Sequence, residues 1–145
     1  MVNEAKQKIP ASNLFGQNMN PVRLLIVEEN PSVREALVTR LNTVPQVEVL
    51  GSAGDAKEAQ SLTMRLSPDV ILVEPKRLDG QGISLIHALA SAPCNPMVMV
   101  LTSYYDENEE LIAGLLGISH YMLKDIDSQA LIEAIIEARH DEPHE

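Results

Sequence analysis

Four short, unbroken apolar runs constrain this chain more than any other feature, because each ends on a residue that can do chemistry. Leu24-Leu25-Ile26-Val27 runs into Glu28-Glu29, and Val70-Ile71-Leu72-Val73 into Glu74. Val98-Met99-Val100-Leu101 runs into Thr102-Ser103, and Tyr121-Met122-Leu123 into Lys124. Strands covered on both faces read as continuous apolar runs, and a parallel sheet lines up all its carboxyl ends along one edge. Three carboxylates, a hydroxyl and an ammonium are therefore expected at one crevice.

From Val22 onward strand and helix signals alternate. Strands are expected over 22–27, 47–50, 69–73, 97–101 and 119–123. Asn30-Pro31 supplies an N-cap and a proline at the first helical position, opening a helix to about 43 that buries Val33, Leu37 and Leu41. Asp55 caps a second helix, with Ala59, Leu62 and Leu66 inward, which stops before Pro68. A third helix spans about 81–91, and Asp106 opens a fourth that ends at Gly117, where a left-handed C-cap belongs. Asp127 or Ser128 caps a last helix reaching about 140. Gly51 through Gly54 form the exit from the second strand. The fold class is α/β, a doubly wound five-stranded parallel sheet with helices on both faces, and its ligands bind outside the carboxyl ends of the strands.

The bulk composition narrows the function. Of the 145 residues 45% are hydrophobic, enough for one core-bearing domain. A formal charge of −10, from 21 acidic and 11 basic side chains, opposes nucleic-acid phosphates, and no basic patch offsets it. No direct nucleic-acid binding is expected, and no apolar stretch has the ~18 residues of a membrane span. The single Cys94 makes no internal bridge and fits a cytoplasmic setting. Residues 1–20 read as a flexible arm, with Leu14 and Phe15 as a candidate anchor, residues 21–140 as the folded domain, and 141–145 as a tail. His87, His120, His140 and His144 show no ligand spacing. Met64, Met97, Met99 and Met122 read as core. A nucleotide or flavin site needs free N–H groups after the first strand, but Glu28-Glu29-Asn30-Pro31 repels phosphate and lacks a donor. An enzyme of this architecture is thus the weakest of three readings.

The acidic pair after the first strand, the acid ending the third, the Thr ending the fourth and Tyr121-x-x-Lys124 resemble the receiver domain of bacterial two-component response regulators. The wording of Leu24–Leu37 and of Tyr121–Asp125 is similar to the subfamily that carries a helix-turn-helix output domain. The resemblance covers about residues 22–140 and implies a flavodoxin-like sheet of order 2-1-3-4-5. It implies that a magnesium ion sits at the acidic pair and the third-strand carboxylate, that this carboxylate takes a phosphoryl group, and that Lys and Thr answer the product. On that pattern Glu28 and Glu29 form the acidic pocket, and Glu29 and Glu74 would meet the metal. Glu74 stands at the phosphoacceptor position, Thr102 and Tyr121 at the switch, and Lys124 at the counter-ion.

The departures point the other way. Glutamate stands at all three carboxylate positions, where the family uses aspartate at the acceptor and at least once in the pair. Each extra methylene advances its carboxylate by ~1.3 Å, whereas magnesium demands near-ideal octahedral geometry. The loop Pro75-Lys76-Arg77-Leu78-Asp79-Gly80 is two residues shorter than the family's usual form and brings two cations to stand in for a metal. The expectation is a stand-alone, non-enzymatic pseudo-receiver without a cofactor. It would signal through contact with a protein, a sensor kinase or a downstream regulator, without aspartyl phosphorylation. A working phosphoacceptor is the alternative. The second apolar lines of the fourth helix (Ile112, Leu116) and the last (Ile132, Ile136) suggest a partner surface, including a homodimer through the last helix.

Overall fold

The computed structural model describes residues 20–140 apart from 77 and 119, without the side chains of 79 and 140. The arm over 1–20 (save Asn20), its Leu14 and Phe15, Arg77, the His140 side chain, His144 and the tail lie outside the described residues. Five strands, β1 (Val22–Val27), β2 (Val47–Ala53), β3 (Val70–Val73), β4 (Met97–Thr102) and β5 (Tyr121–Leu123), alternate with five helices. The helices are α1 (Pro31–Leu41), α2 (Ala56–Leu66), α3 (Gly82–Ala90), α4 (Glu107–Leu115) and α5 (Ser128–His140). All strand pairs are parallel, in the order β2-β1-β3-β4-β5.

The period-2 alternation of the strands sorts the core into two layers. Leu24, Ile26, Val70, Leu72, Met99 and Leu101 pack with Leu37 and Leu41 of α1 and with Leu131 and Ile135 of α5. Leu25, Val27, Ile71, Val73, Val98 and Val100 face Ala59 of α2, Leu85, Ile86 and Leu89 of α3, and Ala113 of α4. Both faces of β1, β3 and β4 are thus sealed, which is why their sequences are unbroken apolar runs.

Caps define the helix ends. Asn30 accepts from the Val33 N–H at 3.1 Å, Asp55 from Glu58 at 2.8 Å, Asp106 from Glu109 at 3.0 Å and Asp127 from Ala130 at 3.1 Å. Gly117 closes α4 at φ +90°. There the Ile118 N–H reaches Ala113 O at 2.9 Å and the Gly117 N–H reaches Gly114 O at 3.0 Å, the paired bonds of a Schellman end.

Four local expectations change. β2 runs to Ala53 rather than 50, because a register shift at Leu24/Leu25 leaves Leu50 as an extra residue and keeps Gly51-Ser52-Ala53 paired. β5 spans Tyr121–Leu123 rather than 119–123. Met64 is not core, since the inward residue of that turn is Thr63 and Met64 is 63% exposed. On α5, Ile132 is buried and Ile136 packs against the core, so the sheet takes up the line suggested for a homodimer. On α4 Leu111, Ile112 and Leu115 are exposed, while Leu116, expected beside Ile112 on the partner surface, packs against the core.

Candidate functional site

The sheet brings the strand ends together through its own hydrogen bonding. The Glu74 N–H bonds Val27 O at 2.9 Å, the Glu28 N–H bonds Ala53 O at 2.9 Å, and the Lys124 N–H bonds Thr102 O at 2.8 Å. Each residue after an apolar run is therefore still held by its neighbouring strand, and its side chain enters the crevice from a rigid base. The crevice has a volume of about 640 Å³, and its walls include Glu28, Glu74, Lys76, Tyr104, Glu109 and Lys124.

Glu74 is the centre. Only 5% of it is exposed, yet its carboxylate is fully engaged. Oε1 accepts the Ser103 N–H at 2.8 Å and pairs with Lys124 Nζ at 3.1 Å. Oε2 accepts the Thr102 hydroxyl at 3.0 Å and the Lys76 N–H at 3.1 Å. A buried carboxylate is tolerated only when paired and hydrogen-bonded, and here both oxygens are. Lys124 Nζ also pairs with Glu28 Oε1, whose other oxygen accepts the Asn30 N–H at 3.0 Å.

Glu28, Glu74, Thr102 and Lys124 thus meet as the sequence suggests. Glu29 does not join them. It lines a separate depression with Gly54, Asp55, Lys57, Leu78 and Gln81, and its buried Oε1 has no partner. Beneath the pair Arg34 binds the backbone, Nη1 reaching Glu28 O at 2.8 Å and Glu29 O at 3.3 Å. Gly54 makes room, since a Cβ there would lie 2.6 Å from that nitrogen.

The residues do not fit a hexacoordinate magnesium ion. Both oxygens of Glu28 and of Glu74 are committed to other donors, while Glu29 faces elsewhere. Among the described residues no three His, Cys, Asp or Glu side chains converge on one point. Magnesium takes one or two carboxylates and several waters, and the orphaned Glu29 oxygen lies in the separate depression, away from Glu28 and Glu74.

Lys76 corrects the expectation that loop cations pair with the pocket glutamates. Its ammonium turns outward to Thr102 Oγ1 at 2.8 Å, Glu109 Oε1 at 2.8 Å and Tyr104 O at 3.2 Å. It also lies 4.4 Å from the Tyr104 ring centroid. Tyr121 donates to the same Glu109 oxygen at 2.7 Å and accepts the Asp106 N–H at 3.1 Å. Burial, and then that bond to Glu109, push the Tyr121 phenol above the usual tyrosine range. Tyr105 stacks edge-on against Tyr121 with centroids 5.9 Å apart.

The family model of the response regulator receiver domain matches residues 24–136. The chain belongs to this family. Its match to the DNA-binding transcriptional activator DevR/DosR of Mycobacterium tuberculosis is 34% identical and covers 79% of this chain and 52% of that one. The match to the transcriptional regulatory protein LiaR of Bacillus subtilis is 31% identical and covers 84% and 58%. The chain thus spans little more than half the length of these relatives. Among solved structures the response regulator domain of Thermotoga maritima CheB superposes with a TM-score of 0.75 at 24% identity, covering 85% of this chain and 99% of that one. That likeness speaks for the fold. The protein is a receiver domain of a response regulator in two-component signalling, and among the described residues no helix is long and apolar enough to cross a membrane.

Sequence reading missed three parts of this site. Glu109 and Asp106 sat among ordinary helix-opening acids. Arg34 carried a faint signal, because a cation at the end of a helix's first turn opposes the helix dipole and needs a specific partner.

Proposed function

We propose that this receiver signals by protein–protein contact in a fixed, charged state, without aspartyl phosphorylation and without a divalent ion. The observation that carries the reading is the Glu74 carboxylate, buried and held at once by Thr102, Ser103, Lys76 and Lys124. A phosphorylated acceptor would present extra negative oxygens to a hydroxyl, backbone N–H groups and a lysine. A glutamate reaches one methylene farther than the family's aspartate and presents its own charge to that same set of donors. Lys124 and Glu74 then play counter-ion and mimic, and Thr102 and Tyr121 relay the state. Glu28 braces Lys124.

The module is a non-enzymatic adaptor in this reading. Its partner is a sensor kinase or a downstream regulator, and the exposed Leu111, Ile112 and Leu115 of α4 offer the surface. The domain's own acidic character weighs against direct nucleic-acid contact. Incubation with magnesium and acetyl phosphate, followed by intact mass measurement, tests the reading. No added phosphoryl group is expected, whereas a stable gain at Glu74 would establish a working phosphoacceptor instead.

A further inference from the structure

We propose that Lys76 is a resident cation of this site, a positioning residue that aims the Thr102 hydroxyl at Glu74 and ties Glu74 to the start of α4 through Glu109 and Tyr121. The inference deepens the reading of a fixed charged state and rests on it. An ammonium has three donors and no acceptor. Lys76 spends its donors on Thr102 Oγ1, Glu109 Oε1 and Tyr104 O. The Thr102 oxygen must therefore accept from Lys76, and its single hydrogen is left to be given away. Glu74 Oε2 receives it at 3.0 Å in preference to Tyr104 O, which lies at 3.3 Å, is uncharged and already takes Lys76. The direction of the hydroxyl is thus set by an ammonium on its far side.

The same ammonium continues outward. From Glu74 to Thr102, Lys76, Glu109 and Tyr121 every link is 3.0 Å or shorter. Tyr121 in turn takes the N–H of Asp106, the residue that caps α4. The side chains of Lys76 and Glu109 are 15% and 13% exposed, so solvent and salt screen the pair only in part. Lys76 also holds Glu74 with its backbone N–H, so one residue grips both the carboxylate and the hydroxyl that serves it. Where the donor set leaves no seat for a magnesium ion, this side chain supplies the positive charge beside Thr102.

Nuclear magnetic resonance on the whole chain tests the coupling. Glu74→Gln is expected to shift the Tyr121 ring and Asp106 amide signals in the native background. In Lys76→Met that response is expected to fall at least threefold, and Lys76→Arg is expected to restore part of it. Glu109→Met removes the acceptor oxygen that Lys76 and Tyr121 share without touching the loop, so it carries the test should Lys76→Met not fold. An undiminished Tyr121 response in both Lys76→Met and Glu109→Met overturns the proposal, as does a native chain whose Tyr121 ignores Glu74→Gln. Unfolding of both variants also counts against it, because a positioning role leaves the apolar core intact. A phosphoryl gain in the mass experiment overturns the underlying reading instead, so the two failures are told apart.

Discussion

Replacing Glu74 by Gln separates an engaged carboxylate from a leftover acidic cluster by the sign of its effect. Four donors converge on the two oxygens: Ser103 N–H, Lys124, the Thr102 hydroxyl and Lys76 N–H. Glutamine keeps the shape but offers one acceptor oxygen, and its NH₂ then faces two of those donors. With the NH₂ toward Ser103 and Lys124 two contacts are lost; turned the other way, Thr102 can accept it and give its hydrogen to Tyr104 O, but the Lys76 N–H is left facing a donor. Hydrogen bonds to a charged group contribute about 1.5–3 kcal/mol each, and an unsatisfied buried donor costs about 1–3 kcal/mol. Water entering from the open crevice recovers part of this, leaving a net loss of about 2–4 kcal/mol. With a urea slope of about 1–3 kcal/mol per M, the midpoint falls by at least about 0.7 M. The exposed Glu48→Gln serves as a control and is expected to change little. If Glu74 merely repelled Glu28, removing its charge would relieve strain, and the midpoint would rise. A rise, or no change, refutes the engaged carboxylate.

Three further outcomes follow from local geometry. Gly82→Ala places a Cβ 1.9 Å from Pro75 O, so the loop behind Glu74 must move; a loss of about 1–3 kcal/mol is expected in urea unfolding, with Lys76 and Thr102 amide signals displaced. Gly114→Ala meets nothing within 4 Å inside an exposed helix turn, and a gain of up to about 1 kcal/mol is expected. A loss there would show that Gly114 serves the fold in some other way. The raised Tyr121 phenol binds its proton more tightly folded than unfolded. Its contribution to stability is therefore complete below pH ~10 and lost as pH climbs through the higher folded value. Urea midpoints are expected to decline above that pH, and Tyr121→Phe is expected to flatten the decline.

The architecture was legible because sheets sealed on both faces leave a plain record, Leu24–Val27 and Val70–Val73 being apolar at every position. Asn30, Asp55, Asp106 and Gly117 marked helix ends by chemistry that acts over three or four residues, and the structure places caps at each. The site was legible only as far as strand ends position side chains. Glu28, Glu74, Thr102 and Lys124 inherit their places from the sheet register. Glu29 does not, because it follows Glu28, whose N–H still bonds the neighbouring strand, into the loop. Lys76 was seen as a cation near the crevice, but its partners depend on Glu109, more than thirty residues away. The buried Ile132 line shows the same limit, since only the facing sheet residues reveal how wide a helix face the core takes up.

The length of the residue at 74 decides which donors it can serve. Shortening it by one methylene withdraws the carboxylate by ~1.3 Å. Contacts of 2.8 to 3.1 Å would then open beyond hydrogen-bonding distance unless the strands moved. The strands cannot follow easily, because Val73 and Val100 are buried and paired, and Gly82 presses on Pro75 from behind. In this frame an aspartate would leave Thr102 and Ser103 facing a gap that only an added group could fill, whereas the glutamate fills it at once. Glu74 and the loop behind it therefore act together. The loop brings the Lys76 N–H to Glu74 Oε2 and the Lys76 ammonium to the Thr102 hydroxyl that serves the same oxygen.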